Sequence, residues 1–187
     1  GGLLGGLLIA LLLRKQARQT LDVDESNSRN HQARTERLAR IRQLLTDLHL
    51  EDAARLAEQS VRQLPAESEY WKVYAEVAER FTVGAEYHRM MATLFSNAGK
   101  KSLDAGFLRE ALEGYRKRVP DMQPALYGAG GAALARRFFR EGSSRDLDLL
   151  LDGVFRSGRM EQDFTELLNI LLQVAEKNGD RRRAQRY

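Results

Sequence analysis

The chain has 187 residues, 43% hydrophobic and 30% charged, a balance that suits a folded domain with a real core and excludes a wholly disordered or fibrous chain. It contains no cysteine, which excludes disulfides and thiolate-held zinc and fits a reducing compartment. Its formal net charge of +4 is dispersed among 26 acidic residues, so no nucleic-acid partner is expected.

The first thirteen residues, Gly1 to Leu13, carry no polar side chain. A membrane-spanning helix needs roughly 20 apolar residues, and thirteen reach only about 20 Å. A secretory signal places its positive charge before the apolar run, whereas Arg14, Lys15 and Arg18 come after this one. A buried core helix would show a polar outward face, and this run has none. Residues 1–18 are therefore expected to be the C-terminal part of a transmembrane helix with a basic flank. The positive-inside rule then places the chain from residue 19 onward in the cytoplasm. Gly1 with Gly5 and Gly2 with Gly6 form two overlapping G-x-x-x-G pairs, a helix-packing face that lets another backbone approach closely.

Gly1-Gly2-Leu3-Leu4-Gly5-Gly6-Leu7-Leu8 resembles the end of the last membrane helix of the rhomboid intramembrane serine proteases. In that family such a glycine face comes almost directly after the catalytic His. The resemblance covers residues 1–13 and implies a bacterial inner-membrane protease with its active site upstream. The family's G-x-S-G nucleophile motif and its His are not in this chain, so no catalytic residue is carried over.

Residues 19–30 (QTLDVDESNSRN) are polar and without period, and read as a flexible linker. From His31 onward the chain is a succession of helical stripes. Leu38, Ile41, Leu44, Leu45 and Leu48 mark the first, and Ala53, Leu56, Ala57, Val61 and Leu64 the second, which Pro65 ends. YWKVYAEVAERF, EYHRMMATLF, LREALEGYRKRV, ALARRFF, LDLLLDGVF and FTELLNILLQVAEK continue the series, separated by Gly84, Asn97-Ala98-Gly99, Pro120, Gly142-Ser143-Ser144 and Gly158. Eight or nine helices joined by short turns predict an all-α antiparallel array over residues 31–187.

One register aligns this array with a known repeat. With Pro65 at position 32 of a 34-residue unit, Ala53 falls at 20, Trp71 at position 4 of the next unit and Ala75 at 8. Gly179-Asp180 and then Ala184 repeat the mid-unit signature near the end of the chain. The region resembles a degenerate tetratricopeptide-type solenoid, an antiparallel helix-pair stack with Ala53, Trp71, Ala75 and Ala184 in its repeat core. The pattern loosens over residues 100–145, where insertions are needed to stay in phase. Ala53 is expected to face the partner helix of its own hairpin, and Trp71 to be buried at the junction with the next.

No catalytic, cofactor-binding or metal-binding residue emerges. His31, His49 and His88 stand apart from acids at ligand spacing, and Glu51 and Asp52 beside His49 suit a helix first turn. Gly128-Ala129-Gly130-Gly131-Ala132-Ala133 matches a loose dinucleotide fingerprint but lacks the preceding strand, and reads as a small-residue helix face. Ser143-Ser144 reads as a helix cap ahead of Asp146 and Asp148. Arg136-Arg137-Phe138-Phe139-Arg140 reads as a helix with its phenylalanines turned inward. Arg181, Arg182, Arg183 and Arg186 suit an acidic partner or acidic lipid. Tyr70, Trp71 and Tyr74 are packing residues first and binding residues second.

Helical solenoids present surfaces that bind proteins or peptides, so such a ligand is the expected partner, with the membrane engaged through residues 1–13. Two readings stand: a rhomboid-like protease with a cytoplasmic repeat domain, or a membrane-anchored scaffold without enzymatic activity.

Overall fold

The computed structural model describes residues 27–120, 123–143 and 145–150, together with positions 169, 172, 173 and 176. Every regular element among them is helical, and none of these helices is long and apolar enough to cross a membrane. Gly1, Gly2, Gly5 and Gly6, Ala184 and the arginines at 181–186 lie outside the described residues. The chain divides into two compact units, Gly1–Gln43 and Leu44–Tyr187.

In the first unit, helix α1 (27–46, ending in the second unit) is already formed at residue 27, four residues before the expected start at His31. Local bonds hold its exposed first half. Gln32 Nε2 donates to Glu36 Oε1 at 2.9 Å, and Thr35 Oγ1 donates to the His31 carbonyl at 2.9 Å. Leu38 and Ile41 are its buried residues in this unit.

In the second unit, α1 closes on Leu48, whose φ is +60°. The His49 N–H reaches the Leu44 carbonyl at 2.8 Å, and the Leu48 N–H reaches that of Leu45 at 3.2 Å, the bond pair of a Schellman ending. Helix α2 (Leu50–Gln63) then begins with Glu51 and Asp52 in its first turn, where carboxylates favour the positive end of the helix dipole. Its inner face is small: Ala53, Ala54, Ala57 and Ser60 are buried, and the Ser60 hydroxyl is satisfied by the Leu56 carbonyl at 2.7 Å. Small residues let α3 (Ser68–Arg80) come close, and α3 answers with the bulk, burying Tyr70, Trp71, Val73, Tyr74, Ala75, Val77 and Ala78.

Helix α3 packs on α4 (Ala85–Ser96), and α4 packs in turn on α6 (Ala129–Arg140) and on the 3₁₀ turn Pro124–Leu126. Helix α5 (Ala105–Arg118) starts from Asp104, whose carboxylate accepts the Phe107 N–H at 2.8 Å, and it contacts α6. The 3₁₀ turn sits directly against the first turn of α6. A Cβ on Gly130 would collide with the Ala125 carbonyl oxygen, and one on Gly131 with that of Leu126. The small-residue run Gly128–Ala133 is thus the point where a turn and a helix meet backbone to backbone. Helix α6 ends like α1: the Ser143 N–H bonds the Phe138 carbonyl and Gly142 takes φ +71°. Helix α7 runs from residue 145 to the edge of the described segment at 150.

Candidate functional site

Four of the polar joints between distant segments share one sequence separation. Ser102 Oγ donates to the Pro65 carbonyl at 2.7 Å, Arg118 Nη2 to the Phe81 carbonyl at 2.6 Å, and Arg137 Nη1 to the Lys100 carbonyl at 3.5 Å. Arg109 grips Asp146 through two bonds of 2.6 Å. In all four pairs the partners are 37 residues apart.

Each of these joints does a definable job. The Pro65 carbonyl also accepts Trp71 Nε1 at 3.0 Å, so the end of α2, the first turn of α3 and the approach to α5 share one oxygen. Arg118 donates to both the Glu79 carbonyl (3.0 Å) and the Phe81 carbonyl, at the negative end of the α3 dipole. Its guanidinium also lies 4.2 Å from the Tyr87 ring centroid, a cation–π contact with α4. Asp146 is only 2% exposed; the Arg109 guanidinium first, and then the Ser143 hydroxyl at 2.5 Å, hold its carboxyl below the usual carboxylate range.

Two further clusters tie α4 to its neighbours. Arg89 bridges Glu58 of α2 (3.1 and 3.2 Å) and Glu86 of its own helix (2.6 and 3.0 Å). Its bonds to Glu86 and then Glu58 raise the already high Arg89 pKa, and the Glu86 carboxyl is lowered in return. Tyr74, fully buried beneath this network, is pushed up to about 12, chiefly by burial. On the other side of α4, His88 Nδ1 lies 2.9 Å from Tyr115 Oη, which also accepts the Ala125 N–H at 3.0 Å. When the phenol donates to Nδ1, neutral His88 carries its proton on Nε2. Burial raises Tyr115 and lowers His88.

None of these arrangements is a catalytic constellation. His31, His49 and His88 sit on α1, at the start of α2 and on α4, and no group of acids and histidines that could hold a metal ion occurs among the described residues. Ala53, Trp71 and Ala75 are all buried, in α2 and α3. Tyr70 and Tyr74 are buried too, so their rings serve packing rather than a ligand. Phe138 is fully buried and Phe139 half-buried, with Arg136 and Arg140 exposed. Lys72 of α3 and Lys117 of α5 are exposed on outward helix faces. Sequence reasoning missed Arg109, Arg118 and the His88–Tyr115 pair. No sequence signal links the first two to their partners, because the 37-residue spacing exists only in the folded contacts. No protein-family model, curated protein or solved structure matches the chain.

Proposed function

We propose that residues 31–187 form a tetratricopeptide-like solenoid of antiparallel helix pairs that binds a protein or peptide, held at a membrane by residues 1–13. The observation that carries this reading is the four side-chain joints that share a 37-residue separation. A constant separation is what stacked helix pairs produce when equivalent positions of successive pairs touch. The interval is three residues longer than the 34-residue unit, and it is already so between Pro65 and Ser102, ahead of the stretch where the sequence pattern loosens.

A photo-crosslinker placed in native membranes at Lys72 or Lys117 should give the same discrete protein adduct from both positions. A control at exposed Ala66 should not give it. Diffuse adducts, equal at all three positions, would defeat the interaction reading.

The doubled G-x-x-x-G pattern of residues 1–6 supports a fuller reading, in which this region is the cytoplasmic C-terminal part of a rhomboid-like intramembrane serine protease. The competing reading is a membrane-anchored scaffold whose repeats are its whole function. Gene sequence upstream of Gly1 separates them. The protease requires several apolar segments that include a G-x-S-G serine and a His just before Gly1; one short apolar segment leaves the scaffold.

A further inference from the structure

Helix α1 carries Arg29, Arg34, Arg37, Arg40 and Arg42 against a single acid, Glu36. Five arginines against one carboxylate leave an excess as large as the +4 of the whole chain, so everything outside this helix is neutral on balance. Arg29, Arg40 and Arg42 are exposed and Arg34 and Arg37 half-buried. Over residues 27–37 no side chain is buried at all, so this half of the helix serves no core. Arg29, Ala33 and Arg37 succeed one another at i, i+4 spacing, and Arg40 extends the same stripe.

The position of this stripe in the chain selects its partner. Only residues 14–26 separate the helix from the apolar run that ends at Leu13, and thirteen residues span at most about 45 Å even fully extended. Within the tether, Arg14, Lys15 and Arg18 lie next to the apolar run and are balanced by Asp22, Asp24 and Glu25 nearer the helix, so the net positive charge is that of α1 itself. A basic helix confined this close to a bilayer meets headgroups at high effective concentration, and each arginine near an anionic surface adds to the attraction. We propose that the basic stripe of α1 docks on anionic lipid headgroups, laying the helix along the membrane surface beside the apolar run. The proposal rests on the membrane reading of residues 1–13.

The cysteine-free chain makes the test direct. A nitroxide on Ala33→Cys in the full chain, bound to vesicles, reports collision with a water-soluble nickel chelate. On vesicles containing about one-third phosphatidylserine, collision should fall about threefold or more relative to phosphatidylcholine alone. The protection should vanish at about 1 M salt, where the Debye length shrinks to about 3 Å. It should also vanish in the triple variant Arg29→Gln, Arg37→Gln, Arg40→Gln, while a label at Thr82→Cys in the loop after α3 stays unaffected by lipid composition. Flotation with phosphatidylcholine vesicles reads the tether separately. A chain that floats on neutral vesicles but shows equal Ala33 label accessibility on both compositions overturns the docking. A chain that fails to float on neutral vesicles yet is protected on anionic ones removes the tether reading and leaves the docking standing. Stronger protection by a single-stranded oligonucleotide than by phosphatidylserine vesicles also overturns it, in favour of a nucleic-acid partner.

Discussion

Arg118 and Phe81 stand 37 residues apart in sequence, yet the guanidinium of one donates to the carbonyl of the other across 2.6 Å. Phe81 is the residue at which α3 stops, so the carbonyl it offers has no further helical turn to bond. A side chain from the last turn of α5 completes the end of α3, and the same group stacks on Tyr87 of α4. One residue therefore fixes three helices at a single point.

Arg118→Ala removes two charge-assisted bonds and a cation–π contact together. Its expected cost is about 2–3 kcal/mol, because the carbonyls it leaves are partly shielded from water. Arg118→Lys keeps the charge but not the planar fork, and should recover less than half of that loss. Urea unfolding tracked through the emission of Trp71, the single tryptophan, measures both. A cost within about 0.5 kcal/mol, typical of an ordinary surface change, would remove Arg118 from this role.

Glycine-to-alanine exchange should have opposite signs in α5 and α6. Gly114 sits in mid-α5, and a Cβ there would come no nearer than 3.7 Å to any neighbour, that neighbour being Glu79 Oε1. Gly114→Ala should therefore gain about 0.5–1 kcal/mol from helix propensity. At Gly130 and Gly131 the Cβ runs into backbone carbonyls of the 3₁₀ turn, which cannot swing aside like a side-chain end. Each substitution should cost about 1–3 kcal/mol despite the same propensity gain. Thermal unfolding of the three single variants checks the pattern; equal shifts in all three would mean the turn does not lie against α6.

This contrast shows what the sequence could and could not reveal. Helices were legible because alanines and leucines recur at helical spacing and because Pro65, Gly84 and Gly142 punctuate them. The run Gly128–Ala133 was legible as a packing face, since no strand precedes it. What it packs against was not, because nothing in PALY announces a 3₁₀ turn that reaches α6. Nothing in the sequence singles out Arg109 or Arg118, and only the folded arrangement supplies Asp146 and the Phe81 carbonyl. Trp71 was legible as a buried packing residue, and it is buried. Its bond to the Pro65 carbonyl depends on that oxygen being left unused where α2 stops, which spacing alone does not show.

Leu48 marks a helix ending that the sequence conceals. Gly142 closes α6 in the same left-handed conformation without strain, whereas Leu48 adopts it with a side chain that is 78% exposed and contributes little to packing. A left-handed non-glycine residue costs about 1–2 kcal/mol, part of which glycine returns through a more flexible unfolded chain. Leu48→Gly should accordingly stabilise the protein by about 0.5–1 kcal/mol, read as a higher urea midpoint at unchanged slope. A lower midpoint would show that the Leu48 side chain has a folded-state contact worth more than its strain.

Acid should loosen α4 before it reaches the Asp146 carboxyl. Burial lowers the His88 pKa from its ordinary 6.5, so the folded protein favours the neutral ring and the unfolded chain takes up the proton first. Stability from this group is therefore full above pH 6.5 and is lost as pH falls below it. The Asp146 carboxyl, held below its ordinary 3.8 by Arg109, loses its contribution only in a separate and lower window. Protonated His88 carries a hydrogen on Nδ1, so a bond in which the Tyr115 phenol donates there must reverse or break. His88→Asn offers an acceptor that does not titrate. Urea midpoints at about pH 7 and about pH 5 should differ measurably in the parent protein, and the difference should shrink in His88→Asn. An undiminished drop in the variant would assign the acid sensitivity to another group.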